Sequence, residues 1–147
     1  MERRLAAALA AAWEAEVTSA RRMAALAERI PVAALRSRLL VQSAFCRAHA
    51  CRLLARLSTH GRGPLPVPPA SPELPPGLGE ALLKESRQAK DASARYRTAA
   101  DLARKHGDLS SAWVCELNGH EEEERASQLL MLAREVAGAD LQEPFAV

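Results

Sequence analysis

The chain has 147 residues, 48% apolar, with five aromatic side chains and a net charge of +2, which suits a single globular domain with a real core and favours helix over strand. A charge so near zero carries no argument for a nucleic-acid or membrane partner. The arginines from Arg29 to Arg62, a stretch without any acid, flank an apolar stripe on two sides and lack the aromatics that stack on bases, so neither nucleic acid nor membrane is expected as a partner.

The chain opens on "MERRLAAALAAAWEAEV", which imitates a secretory signal with its basic start and apolar run. No turn or cleavage region follows and the helical pattern continues through Glu14 and Glu16, so the segment reads as mature helix. Apolar positions at Leu5, Leu9, Ala12, Met23, Leu26 and Ile30 keep a helical period over residues 3 to about 29, and Pro31 ends it. A second helix is expected over 32–57. Its Cys46 and Cys51 point roughly 140° apart; three cysteines make no disulfide framework, and a reducing cytoplasm is the expected home.

Residues 58–77 then form an extended crossover, in a stretch that holds seven of the nine prolines. A third helix is expected over 78–106, striped by Leu78, Leu82, Ala89, Ala92, Tyr96, Ala99 and Ala103. "HGD" at 106–108 stops it, a fourth helix follows over 109–137, and 138–147 is a tail. Helices of this length run about 40 Å. Tight turns within each half and a long connection between the halves predict one all-α domain: an antiparallel four-helix bundle with a Pro-rich crossover between the second and third helices.

The halves also correspond to one another. A shift of 76 residues lays "ALAER" (25–29) over "DLARK" (101–105), Gln42 over Asn118, Cys46 over Glu122 and His49 over Arg125, the trace a duplicated helical hairpin leaves. On a helical wheel, Leu35, Leu39, Gln42, Cys46, His49 and Leu53 share one stripe, as do their counterparts. Glu16 lies at the centre of the first helix's apolar stripe, level with Cys46, and Glu14 lies opposite. Within "HEEEER" (120–125), Glu122 turns inward together with Arg125, whereas His120, Glu121, Glu123 and Glu124 read as a solvated face.

The segment "YRTAADLARKHGDLSSAWVCELNGHEEEERASQLL" (96–130) resembles the second hairpin of the ferritin-like carboxylate proteins of the rubrerythrin and bacterioferritin type. The resemblance implies a ferritin-like bundle in which each half supplies a glutamate from its first helix and an E-x-x-H from its second, holding two irons. Carried over, the first E-x-x-H becomes Cys46-x-x-His49 and the second becomes Glu122-x-x-Arg125. Glu16 stands for one first-helix glutamate. At the height of the other stands Ala92, with Glu85 inward but about 10 Å along the axis.

Two readings of this layer follow. In one, Arg125 has replaced the metal charge and pairs with Glu122 and with Glu16, while His49, Gln42, Asn118 and Tyr96 complete a buried network; the site is a degenerate di-iron centre without a cofactor, and the chain is a non-catalytic binding or assembly module. In the other, Glu16, Cys46, His49 and Glu122 hold iron or zinc, and the chain is a metal-dependent oxidoreductase acting on oxygen or peroxide, or a metal store. Apolar residues off the inner stripe (Leu40, Val41, Phe45 and Leu54; Trp113, Leu117, Met131 and Leu132) predict a homodimer or another protein partner, with Trp113 and Phe45 as anchors.

Overall fold

A computed structural model describes residues 1–63, 65–68 and 73–138. Among them are four helices, α1 (Arg3–Glu28), α2 (Ala33–Thr59), α3 (Leu78–Lys105) and α4 (Leu109–Gly138), each within two residues of its expected ends. None is long and apolar enough to cross a membrane.

Local chemistry sets these ends. The Glu2 carboxylate accepts from the Leu5 amide at 2.8 Å and caps α1, which offsets one of the unpaired amides every helix start carries. α2 and α3 finish on matching His-Gly turns. Gly61 and Gly107 take φ of 68° and 72°, a left-handed conformation that a side chain resists. The next residue then bonds back to the helix, Arg62 N to Leu57 O and Asp108 N to Ala103 O, each at 2.9 Å. The first of these turns corrects the expected start of the crossover: Ser58 and Thr59 are helical, because the first proline comes only at residue 64. Asp108 has a second task, accepting from the Ser111 amide at 3.0 Å and the Ser111 hydroxyl at 2.7 Å as the cap of α4. Part of the expected crossover and all of the tail but Gly138, which ends α4, lie outside the described residues.

α1 packs mainly on α2 and α3 mainly on α4, with fewer contacts across α1/α3 and α2/α4. Cross-bundle bonds give the directions. Glu16 meets Tyr96 and Arg22 meets Glu85, so α1 and α3 are antiparallel. Arg38 meets Glu135 and Arg56 meets Ser111, so α2 and α4 are antiparallel too. α2 and α3 therefore run the same way, and the crossover between them must travel the length of the bundle. That is the expected four-helix topology with a long connection.

The expected duplication has a structural counterpart. Moved by 76 residues, α2 would span 109–135, against Leu109–Gly138 for α4. The Ser43 hydroxyl donates to Ala20 O at 2.8 Å where α2 crosses α1; at the equivalent crossing of α4 and α3, Gly119 sits so close that a Cβ there would lie 3.0 Å from Tyr96 Cβ.

Two apolar layers close the ends of the bundle. Met23, Leu26, Leu39, Leu82 and Leu129 belong to one, and Leu5, Leu9, Leu53, Leu57 and Val114 to the other. Each fully buried leucine contributes about 1.5–3 kcal/mol, and the polar residues are held in a layer between them. Leu132, expected outside the inner stripe, is 2% exposed within the first apolar layer; it lies three residues after Leu129, on the same helix face.

Candidate functional site

All eight residues singled out for the interior reach it: Glu16, Gln42, Cys46, His49, Tyr96, Asn118, Glu122 and Arg125 are each at most 6% exposed. α1 supplies Glu16, α2 supplies Gln42, Cys46 and His49, α3 supplies Tyr96, and α4 the rest. Glu14 faces solvent, as its wheel position requires.

His49 is the hub. Its Nδ1 lies 3.0 Å from Glu122 Oε1 and 3.2 Å from Glu16 Oε1, and its Nε2 lies 2.9 Å from Glu121 Oε2. Burial opposes a charge on this ring, but the bonds to Glu122 and Glu16 outweigh it and the pKa is pushed up to about 9. The ring is thus an imidazolium at neutral pH, donating from both nitrogens. Tyr96 donates to Glu16 Oε1 at 2.8 Å, and the Asn118 amide donates to His49 O at 3.3 Å.

Arg125 occupies the other half of the layer. Its Nη1 donates to Glu122 Oε2 at 2.9 Å and Oε1 at 3.2 Å, and its Nε donates to Gln42 Oε1 at 3.0 Å. Its Nη2 approaches Glu85 Oε2 at 3.7 Å. The pairing expected with Glu16 is replaced by this one with Glu85, because the long guanidinium arm reaches along the axis and shortens the separation that backbone spacing implied. Glu85 is held in turn by Arg22 of α1.

The two central carboxyls are driven apart. Burial raises Glu16 above the usual carboxylate range, and the nearby Glu122 charge adds to the effect. Burial acts on Glu122 in the same direction, but the His49 bond and the Arg125 charge overcome it and hold Glu122 low. Burial also pushes the Cys46 thiol well above its ordinary value, which keeps it protonated.

Glu121 corrects the expectation of a solvated residue. Half-buried, it accepts from His49 and from Arg52 Nη1 at 3.1 Å, and Arg52 also donates to Asn118 Oδ1 at 3.0 Å. Burial works to raise its pKa, but the bonds from Arg52 and His49 outweigh it and lower it. The signal was present in the sequence: Glu121 lies 100° from Glu122, on the flank toward α2, and a long side chain at a flank reaches inward.

These donors fit two irons poorly. A ligating nitrogen needs a lone pair, yet both His49 nitrogens face carboxylates, and a guanidinium has none. Both Glu122 oxygens are taken by Arg125 and His49. Glu16, Cys46 and Glu122 can bring a carboxylate oxygen, a sulfur and a second carboxylate oxygen within 4.8 Å of one another. Of these, however, only Glu16 Oε2 and a protonated thiol stay uncommitted. The layer instead stores charge: the carboxylates of Glu16, Glu85, Glu121 and Glu122 against Arg22, Arg52, Arg125 and protonated His49.

The pH dependence follows with a definite sign. The folded pKa of His49, about 9, lies above its reference of 6.5, so the stability it contributes is fully present below pH 6.5 and is lost as pH rises through 9. We expect the free energy of unfolding in urea to fall by roughly 2–3 kcal/mol between pH 6 and pH 9.5, and the fall to shrink in His49→Gln. Equal stability of the parent at the two pH values would show that the ring is neutral.

Beside this layer, a groove of about 910 Å³ opens between α1 and α3. Ala12 and Ala92 line it, and Glu16, Glu122 and Arg125 form part of its wall. It lies where the halves differ most, since Ala92 is the counterpart of Glu16.

The chain matches no family model and no curated protein. A crystal structure of a protein from Xanthomonas campestris pv. campestris str. ATCC 33913 is similar over 94% of this chain and 93% of that one, with a TM-score of 0.80 and 22% identity. At that identity the likeness establishes the shared four-helix fold and nothing finer.

Proposed function

We propose that this chain is a ferritin-like bundle whose di-iron layer has been replaced by a built-in cation, Arg125, and that it works as a non-catalytic binding or assembly module. The observation that carries the reading is the clamp on Glu122: a guanidinium and an imidazolium fill the positions where a metal-bearing layer would place its ions. Two irons need several free anionic and nitrogen donors, and here those donors are spent on one another. Self-association is part of the reading, supported by exposed Trp113, Val41 and Met131, 63%, 52% and 58% accessible. The free cysteines Cys46, Cys51 and Cys115 are compatible with a reducing cytoplasm.

The single-ion alternative draws on the proximity of Glu16, Cys46 and Glu122, and the same experiment decides between the two. Protein purified without a histidine tag is measured for metal per chain by mass spectrometry, before and after anaerobic ferrous iron and after zinc. Folded protein with well under one metal per chain is expected. Stoichiometric metal that disappears in a His49→Ala, Glu122→Ala double variant would replace this reading with that of a metalloprotein in redox chemistry or metal storage.

A further inference from the structure

Among the described residues, three buried side-chain atoms lack a hydrogen-bond partner: Glu16 Oε2, Glu85 Oε2 and Arg125 Nη2. Glu85 Oε2 and Arg125 Nη2 at least face each other at 3.7 Å. Glu16 Oε2 has no such neighbour. Leaving a buried polar atom unpaired costs about 1–3 kcal/mol, and natural cores retain few of them. Both Glu16, 4% exposed, and Arg125, 2% exposed, are wall residues of the α1/α3 groove. The unmet polar atoms of this otherwise well-paired layer thus belong to residues that line the largest open space beside it.

The rest of the groove is apolar and small, with Leu9 and Ala12 on α1 and Ala92, Ala99 and Leu102 on α3. An alanine in place of a carboxylate at residue 92 creates this space, because the side chain that would balance Glu16 across the bundle is missing. Its volume of about 910 Å³ falls in the range of small-molecule sites, which are mostly apolar with a few placed polar groups.

We infer that the groove binds an uncharged amphiphile whose head both donates and accepts a hydrogen bond, as a primary amide does, with the head at Glu16 and Arg125 and the hydrocarbon body along the alanines. Charge selects the neutral head. The four carboxylates and four cations of the layer already offset one another, so a further buried charge would stand without a counterion. The twofold hydrogen-bonding demand follows from the geometry: Arg125 Nη2 can only donate, and Glu16 Oε2 is the oxygen of its carboxyl that neither Tyr96 nor His49 occupies. This inference rests on the metal-free reading and supplies the ligand class for the binding module.

The test uses the full chain, with its metal content measured on the same sample. Octanamide is titrated into the isotope-labelled protein and followed by backbone amide NMR, beside octanoate and octylammonium. Saturable shifts centred on Ala12, Ala92 and Ala99 are expected, with a dissociation constant at or below about 1 mM. The two charged-head probes are expected to bind at least about tenfold more weakly. Ala92→Leu, which extends into the groove, should abolish binding with helicity unchanged; Ala12→Leu on the facing wall serves the same purpose if the first variant loses structure. Metal-free protein that shows no saturable shift overturns the groove inference and leaves the metal-free reading intact. Equal binding of either charged probe overturns the neutral head, and undiminished binding in both filled variants overturns the location. Stoichiometric metal in the sample overturns the underlying reading by itself, whatever octanamide does.

Discussion

Arg125→Met is expected to cost about 3–5 kcal/mol of folding free energy, the range for removing one partner of a buried ion pair. The reason is what remains behind. Glu122, 1% exposed, would keep its contact with His49 but lose the bidentate donor at 2.9 and 3.2 Å; Gln42 Oε1 would lose its donor; and Glu85 would keep only Arg22. Domains of this kind have roughly 5–15 kcal/mol in total, so the melting temperature should drop by roughly 10 °C or more. Arg125→Lys retains the charge and loses the fork, and should fall between the two. Adding Glu122→Gln to Arg125→Met should recover part of the loss, since the buried anion that made the first change costly is then gone. Exposed Arg134 offers a control, with Arg134→Met expected within about 0.5 kcal/mol of the parent. Denaturant unfolding measures all four variants. If Arg125→Met matches Arg134→Met, the guanidinium is not the counter-charge of the layer.

The readability of this protein divides along physical lines. Helix extents were legible because alanine and leucine keep a clear 3.6 period and because Pro31, the crossover prolines and Gly107 interrupt it. The inward positions of Glu16, Cys46, His49 and Glu122 were legible for the same reason, since a wheel fixes the direction of a Cβ. Where the longest polar side chains end was not. Arg125 reached Glu85 instead of Glu16, and Glu121 folded inward from a flank, because the tip of such a side chain lies several ångströms from its Cβ and settles by charge pairing across helices. The groove was hidden for a related reason: an alanine at position 92 reads as ordinary packing until the distance to the facing helix is known. The Asp108 cap of α4 shows the same limit on a small scale, since "HGD" was read as the stop of one helix and its aspartate also starts the next.

The second large effect tests whether the layer descends from a metal site. The internal shift pairs Glu16 with Ala92, Cys46 with Glu122 and His49 with Arg125, so each half retains what the other has lost. Three substitutions, Ala92→Glu, Cys46→Glu and Arg125→His, give both halves the pattern of one glutamate followed by E-x-x-H. They also add two carboxylates and remove a permanent cation. Without metal, the triple variant should therefore be less stable than the parent by several kcal/mol, through uncompensated buried charge. With metal, the added ligands acquire a partner, and binding to the folded state stabilises it by mass action, about 2.7 kcal/mol when free metal is a hundred times its dissociation constant. The expected result is a rise from well under one metal per chain in the parent to between one and two in the triple variant. Its melting temperature should climb on addition of zinc or anaerobic ferrous iron and fall again with chelator, while the parent responds to neither. Ala92→Glu alone supplies the control for crowding, since it adds a side chain to the groove while Arg125 still occupies the layer. A folded triple variant that takes up no metal would show that Glu16, His49 and Glu122 do not stand at ligand positions, and that their resemblance to a carboxylate site comes only from the period of the helices.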